Sequence, residues 1–154
     1  MIERSDFHIV VEPDTFLLES VDMLGVIYLQ VGSKAFPGMH WDDFVVAILG
    51  GWIETIIQLI ESGDDQCQLM FMDGPFSVHV VESSDDSWTL RCVARHANRT
   101  EIEIAFQLEP NALLDELEAA ASLTSTRCEE LGWDSRDLSR LVEWRDQLVR
   151  QRPI

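Results

Sequence analysis

The sequence predicts an α+β fold in which an antiparallel β-sheet of about six strands packs against a long central helix and two C-terminal helices. Two strand-like patterns precede a long helical stripe, four more follow it closely, and two further helical stripes complete the chain. This order is typical of folds that layer a sheet against helices. Because no repeat or linker divides the sequence, we expect residues 1–154 to form one domain.

Local composition indicates the first two strands and the turn that follows them. Phe7, Ile9 and Val11 alternate with other residues, and residues 25–31 are rich in β-branched and aromatic side chains. The Pro-Gly pair at 37–38 then predicts a break in the chain.

A helical stripe is predicted over Trp41–Glu61, where apolar residues recur at spacings of three and four. Asp42 and Asp43 fall in its predicted first turn, where free amides and the helix dipole favour negative charge. The Gly50-Gly51 pair conflicts with this pattern, because an interior glycine costs about 1 kcal/mol relative to alanine. We therefore expect the helix either to bend at this pair or to pack closely against another backbone.

Four strands with short connections come next and predict an antiparallel meander with one buried face. The segments are residues 66–72, 75–82, 87–95 and 100–108. Asp73-Gly74 is the tight turn between the first two. In the last segment the apolar residues alternate with polar ones, which predicts that they share the buried face: Ile102, Ile104, Phe106 and Leu108.

Two helices are predicted at the C-terminal end. Pro110 suits the first position of a helix whose apolar stripe ends at Gly132. A final helix is predicted from about Ser135 to Val149, with an apolar stripe of its own.

The composition is that of a strongly acidic, folded protein. The 28 Asp and Glu residues outnumber the 11 Lys and Arg residues, which gives a net charge of −17, and 46% of residues are apolar. A chain of this length buries roughly 68–70% of its unfolded surface, so it needs no metal or disulfide to fold. Binding to nucleic acid without sequence preference is disfavoured, because it depends on Lys and Arg displacing counterions.

The cysteine spacing and the N-terminus predict a cytoplasmic protein without a membrane span. Cys67, Cys92 and Cys128 form no CxxC pair, which is typical of reduced core thiols. The first residues lack the basic and apolar regions of a signal peptide. The longest uncharged apolar stretch, Phe44–Ile53, is half of the roughly 20 residues that a spanning helix needs.

The negative charge is concentrated in one part of the chain. Residues 1–90 hold 16 acidic residues against Arg4 and Lys34, a net of −14, whereas residues 91–154 have a net of −3. A charge run often marks no more than a solvated face. The asymmetry also fits a surface of one sign that attracts a basic partner and speeds association.

One set of residue types is compatible with a metal site. His40, Asp42 and Asp43 combine an imidazole with two carboxylates, but neighbouring helix residues point about 100° apart and no second ligand set follows. Stabilisation of the helix start is the simpler interpretation, so we expect no metal and no cofactor.

Candidate catalytic groups are equally sparse. Cys92 and His96 have the even spacing that places a thiol and a base on one strand face, but nothing marks a third group. His79 is either a general base or an ordinary strand histidine. Because no known catalytic motif is present, we expect no enzymatic activity and no catalytic residue.

A tryptophan beside carboxylates can anchor an interface with a basic protein. Trp41 stands next to two aspartates, and further acidic residues occupy the predicted turns. The candidate partner-binding residues are Trp41, Asp42, Asp43, Asp64, Asp65, Asp73, Asp85 and Asp86.

Two segments resemble small bacterial immunity proteins of polymorphic-toxin systems, over about residues 36–82. They are FPGMHWDDFVVAILGGWIETI and FMDGPFSVHV, and the likeness rests on a W-x-D-F start, a later tryptophan and an F-M-D-G-P hairpin. The matching residues are Trp41, Asp43, Phe44, Trp52, Phe71, Met72, Asp73, Gly74 and Pro75. The resemblance implies a non-catalytic protein that binds a basic toxin, such as a nuclease, and transfers no contact residues.

Two alternatives from other classes stay open at this point. One is a metal-binding or hydrolytic enzyme built on His40, Asp42 and Asp43, with His79 as a further candidate. The other is a structural or regulatory subunit that forms a homodimer through residues 133–149. Six of the eleven basic residues lie between Arg127 and Arg152, and they could instead pair with acids of the same helix: Asp134, Asp137, Glu143 and Asp146.

Overall fold

The computed structural model describes residues 3–152, and in that range it contains eight strands in two antiparallel sheets together with three α-helices. The α+β class is confirmed, although the strands form two sheets of four where about six strands in one sheet were expected. After a 3-10 turn at Arg4–Asp6 the elements are β1 Phe7–Glu19, β2 Asp22–Val31, β3 Lys34–Phe36, β4 Asp42–Asp43, α1 Val45–Ser62, β5 Gln66–Met70, β6 Phe76–Glu82, β7 Trp88–His96, β8 Arg99–Leu108, α2 Pro110–Glu130 and α3 Arg136–Gln151.

The first sheet is built around β2. One edge of β2 pairs with β1, and its other edge pairs with the short strands β3 and β4. Strands of three and two residues are too short to show the alternation by which a strand is recognised in a sequence. The sequence therefore showed two strands here, whereas the sheet has four.

The start of the central helix was predicted wrongly. Asp42 and Asp43 do not lie in the first turn of α1, because they form β4 and pair with Val26 and Gly25 of β2. The helix begins at Val45 and has no acidic residue in its first turn. Apolar spacing alone cannot show that the backbone of these two residues pairs with another strand.

Helix α1 runs unbroken through Gly50-Gly51 and forms the centre of the core. A Cβ on Gly50 would lie 3.6 Å from the Cα of Leu141, an ordinary van der Waals distance, so the backbone of α3 packs beside this position but leaves room for an alanine. Among the described helices only α1 is long and apolar enough to cross a membrane, and 56% of that stretch is buried inside the protein. Its apolar composition thus matches its position in the core.

The second sheet is the predicted meander, in the order β5-β6-β7-β8. The alternation in β8 fails at one residue: Ile104 pairs with Cys92, whereas Ile102 pairs with the next residue, Val93. Glu103 is therefore an extra residue in a β-bulge, which turns Ile102 to the opposite face. Ile102 is 54% exposed, so the prediction that it shares the buried face is wrong.

Helices α2 and α3 cover the core from one side. Pro110 opens α2 as predicted, and Ser135 caps α3 by accepting a hydrogen bond from the Leu138 amide at 3.0 Å. The apolar stripe of α3 packs on α1 and α2, with Leu141 and Leu148 fully buried. This stripe is thus occupied within the chain.

Two arginines in and after α3 pair with acids of other helices, whereas the sequence favoured pairing within the helix. Arg140 lies 3.5 Å from Glu54 of α1. Arg152, just after α3, pairs with Glu118 at 2.6 Å and with Asp115, both of α2. Among the expected acids, only Asp146 pairs, with the neighbouring Arg145 at 3.0 Å. Arg140 and Arg152 thus hold helices together.

Candidate functional site

The eight candidate partner-binding residues separate into two groups, one near each end of α1. The first group, here called the junction, comprises Trp41, Asp42, Asp43 and Asp73. The second lies where α1 ends and includes Asp64, Asp65, Asp85 and Asp86. An 18-residue helix is roughly 27 Å long, so these groups do not form a single surface.

At the junction, Asp43 is a buried hydrogen-bond acceptor, with 2% of its surface exposed. Its carboxylate accepts from the amide of Phe44 at 2.7 Å, from the indole of Trp41 at 3.0 Å and from the amide of Asp73 at 3.1 Å. A carboxylate held by several donors has no freedom to meet a partner. Asp43 therefore fixes the entry to α1 against the β5–β6 turn.

Aromatic rings complete the junction and connect the two sheets. Trp41 packs edge-to-face on Phe76 at 5.2 Å, and Phe36 of the first sheet contacts Phe76 at 5.6 Å. Trp52 packs on Phe71 at 5.2 Å and donates its indole N–H to the Met70 carbonyl at 2.8 Å. Several residues that carry the resemblance thus meet at the junction. Of the four candidate partner-binding residues there, Asp42 and Asp73 are exposed.

At the other end of α1, six carboxylates come from the last turn of the helix, the end of β6 and the loops that follow these two elements, and we call this set the acidic end. Gly63, in a left-handed conformation, ends the helix ahead of Asp64 and Asp65. The amide of Glu82 donates to the carbonyl of Asp65 at 2.8 Å, which ties the end of β6 to this loop. The set consists of Glu61, Asp64, Asp65, Glu82, Asp85 and Asp86, all exposed.

Four of the six carboxylates of the acidic end, those of Asp64, Asp65, Glu82 and Asp86, have no hydrogen-bond or ion-pair partner among the described side chains. None of the six forms an ion pair with a side chain that the structure describes, although Glu61 accepts a hydrogen bond from the side-chain amide of Gln151. The pKa of Asp85 is lowered, mainly because the Ser87 hydroxyl donates to it at 2.5 Å, so this carboxylate is fixed in its charged form. Glu61 and Glu82 were missed from the sequence, although both flank the turns that hold the predicted aspartates.

A groove with an apolar floor lies inside this acidic rim. It has a volume of about 230 Å³ and is lined by Leu59, Ile60, Gly63, Asp64, Glu82 and Trp88. Ile60 is 47% exposed and Trp88 is almost buried. Lys and Arg bury an aliphatic stem while their charged group stays at the rim, so this arrangement suits a cationic side chain.

A second, wider groove of about 510 Å³ lies against Thr55, Glu61, Asp64 and Cys67. Burial raises the pKa of the Cys67 thiol to about 11, so the thiol stays protonated and is a poor nucleophile. The groove therefore extends the acidic surface without supplying reactive chemistry.

The metal-ligand candidates do not converge. The imidazole of His40 lies 2.5 Å from Glu12, Asp42 points to solvent, and the oxygens of Asp43 are bound as described. In the described part of the chain, no three His, Cys, Asp or Glu side chains are close enough together to hold a metal ion.

The strand thiol and base are also separate. Cys92 is fully buried, and burial raises its pKa to about 12, with a further contribution from Glu103. His96 pairs with Glu101 at 3.3 Å. His79 lies on the solvent-facing side of the second sheet, opposite Arg91. These groups do not form the dyad that nucleophilic catalysis requires.

Comparison of the chain with protein-family models, with curated proteins and with solved structures gives no match.

Proposed function

We propose that the chain is a non-catalytic, immunity-type binding protein that neutralises a basic protein toxin at its acidic end. One observation carries the proposal: six exposed carboxylates, none of them in an ion pair with a described side chain, lie around the end of α1, and two of them, Asp64 and Glu82, line a groove whose floor is apolar. Interfaces of specific complexes combine this kind of desolvated apolar centre with a polar rim.

The charge of the acidic end acts before contact is made. Unpaired carboxylates of one sign create a potential that steers a cationic protein and raises its association rate. After contact, Lys or Arg side chains of the toxin reach Ile60 and Trp88 with their stems and meet Asp64 and Glu82 with their charges. Attraction and specificity thus come from the same surface.

A basic nuclease is the class of toxin that fits best. A protein that cleaves nucleic acid keeps Lys and Arg near its active site to hold the phosphates. An acidic protein that docks on those residues blocks the substrate without any chemistry of its own. Neutralisation takes place in the cytoplasm, where thiols such as Cys67 remain reduced.

The structure changes which predicted residues belong to the proposal. Asp64, Asp65, Asp85 and Asp86 remain in it, and Glu61, Glu82 and Ile60 join them. Trp41 and Asp43 are assigned to the junction, because their polar atoms are bonded inside the protein. Asp42 and Asp73 are exposed, but they lie at the junction near the start of α1, away from the acidic end.

The test compares two variants that remove the same charge. Asp64→Asn, Asp65→Asn, Asp85→Asn and Asp86→Asn are combined in one variant. Its matched control combines Asp14→Asn, Glu19→Gln, Asp22→Asn and Glu129→Gln, all of them exposed and without an ion pair among the described residues. The probes are the protein encoded by the neighbouring gene and a labelled octa-arginine peptide, observed by stopped-flow fluorescence.

For the acidic-end variant we expect the association rate to fall by about tenfold or more at low salt, whereas the control changes much less. The wild-type rate should also fall steeply as salt rises to physiological strength. Equal losses in the two variants, or association independent of salt, would refute the acidic end as the binding surface.

A further inference from the structure

The solvent-facing side of the second sheet, here called the outer face, carries a groove that crosses all four strands. It has a volume of about 170 Å³, and its lining includes Met70 of β5, Ser77 and His79 of β6, Val93 and Arg95 of β7, and Thr100 of β8. In the register of the sheet, Val93 lies opposite both Ser77 and Ile102. The β-bulge at Glu103 therefore adds an isoleucine to this face.

The centre of the groove is buried and its walls are exposed. Val93 is 4% exposed and Ser77 is 7% exposed although both point away from the core, because their neighbours on the sheet cover them. On either side of these two residues, Met70 is 55% exposed and Ile102 is 54% exposed. Exposed apolar side chains that flank a recess mark a surface able to bury a partner's side chain.

The charge of the outer face is opposite to that of the protein as a whole. Arg91 lies opposite His79, and Arg95 lies beyond Val93 on the same strand face. Neither arginine forms an ion pair with a described residue, although the chain has 28 acidic residues, and Glu103 in the bulge pairs with neither. The pKa of His79 is lowered, first by burial and then by repulsion from Arg91 and Arg95. The positive field of the two arginines thus reaches His79 in the lining of the groove.

The spacing along β7 defines what this face can recognise. Arg91, Val93 and Arg95 alternate with inward-facing residues, so cation, apolar centre and cation follow one another at intervals of about 6.6 Å. An extended peptide has the same two-residue repeat. A peptide with a carboxylate, an apolar side chain and a second carboxylate at alternate positions would match all three.

We propose that the outer face is a second docking site, which binds a short acidic peptide segment in extended conformation with an apolar anchor between two carboxylates. The anchor enters the groove over Val93 and Ser77, beside Met70. The flanking carboxylates pair with Arg91 and Arg95. This site is independent of the acidic end and is of opposite sign.

The test measures fluorescence anisotropy of labelled peptides with the intact protein. The binding peptide has the core Glu-Ser-Val-Ser-Glu, and two controls have Gln-Ser-Val-Ser-Gln and Glu-Ser-Ser-Ser-Glu. The protein variants are Arg91→Gln with Arg95→Gln, and a matched control, Arg136→Gln with Arg150→Gln, which removes two exposed arginines of α3. Met70→Gln is a further variant that removes an apolar wall and leaves both arginines in place.

We expect the wild type to prefer the Glu-Ser-Val-Ser-Glu peptide over both controls. Loss of Arg91 and Arg95 should weaken binding by about tenfold or more, equivalent to about 1.4 kcal/mol, while the α3 variant binds as the wild type does. Met70→Gln should weaken it several-fold, and thermal unfolding of each variant should match the wild type.

Three results would overturn the proposal. One is absent or equal binding of the three peptides. Another is tighter binding of a single-stranded oligonucleotide than of the acidic peptide. The third is self-association of the protein that disappears with Arg91 and Arg95, because the occupant would then be a second copy of the chain.

Discussion

The two ends of α1 carry the same residue type in opposite roles. At the junction, Asp43 is 2% exposed and accepts three hydrogen bonds, one of them from Asp73, 30 residues away in the sequence. At the acidic end, six carboxylates are exposed, and none of them forms an ion pair with a described side chain. The comparison shows that an acidic sequence motif can supply a buried hydrogen-bond acceptor as well as a charged surface, and that the fold decides which.

Removal of a carboxylate should change the free energy of unfolding in opposite directions at the two ends. A hydrogen bond to a charged group contributes about 1.5–3 kcal/mol, and removal of its acceptor leaves a buried donor unsatisfied. Exposed carboxylates of one sign repel one another, so their removal lowers the free energy of the folded state. Substitutions should therefore destabilise the junction and stabilise the acidic end.

The largest effect is expected at Asp43. Asp43→Ala leaves the Trp41 indole and the amides of Phe44 and Asp73 without their acceptor, so the free energy of unfolding should fall by about 3 kcal/mol or more. Asp43→Asn keeps one oxygen and should cost about 1–2 kcal/mol. Urea denaturation measures both. The exposed neighbour is the control: Asp42→Ala should stay within about 0.5 kcal/mol of the wild type, and equal effects at the two positions would contradict the comparison.

Trp41 should show a smaller effect that depends on Asp43. Trp41→Phe keeps a ring on Phe76 but removes the indole N–H, which predicts a loss of about 1–2 kcal/mol. In a double-mutant cycle with Asp43→Asn, the two changes should couple by about 0.5 kcal/mol or more. Strict additivity would show that the Trp41–Asp43 hydrogen bond does not stabilise the junction.

At the acidic end, substitution should raise the free energy of unfolding. The variant that replaces Asp64, Asp65, Asp85 and Asp86 by asparagine should gain about 0.5 kcal/mol or more in unfolding free energy at low salt, because charge repulsion is relieved. This gain should shrink as salt screens the charges. Thermal unfolding at two salt concentrations measures it, and a clear loss of stability would mean that these carboxylates have structural roles.

The smallest expected effect is on the outer face of the second sheet, the basic counterpart of the acidic end. The pKa of His79 should lie below its ordinary value of 6.5, and it should rise when Arg91 and Arg95 are replaced by glutamine. Above pH 6.5 the imidazole is neutral in both states. As the pH falls below 6.5, His79 binds a proton in the unfolded chain first. The free energy of unfolding therefore decreases until the pH passes the lower pKa of His79 in the folded state. An NMR titration tests this, and an unchanged pKa in the double variant would exclude the two arginines as a cause.

The sequence predicted the elements whose signal is local. Alternation identified β1, β2 and the meander, and apolar spacing identified all three helices. The acidic end was indicated by the aspartates of two turns, since turns lie at the surface. Of the two outcomes expected at Gly50-Gly51, a helix break does not occur, and the backbone of Leu141 packs beside Gly50 at an ordinary van der Waals distance.

Non-local contacts account for what the sequence missed. Asp43 and Asp73 are 30 residues apart in the chain, so no short pattern shows that they meet. Pairing of Asp42 and Asp43 with β2 is likewise invisible in a helical stripe. The single extra residue at Glu103 turns Ile102 to the other face of the sheet. The sequence does not show this, because apolar and polar residues alternate through the bulge without a change.

The most direct test of the central claim is to map where a cationic partner contacts the folded protein. Amide chemical shifts recorded while octa-arginine, and then the neighbouring gene's product, is added would show the contact surface. The account predicts that the largest shifts fall in residues 59–66 and 82–88. Largest shifts in residues 41–43 and 72–76, at the junction, would contradict it.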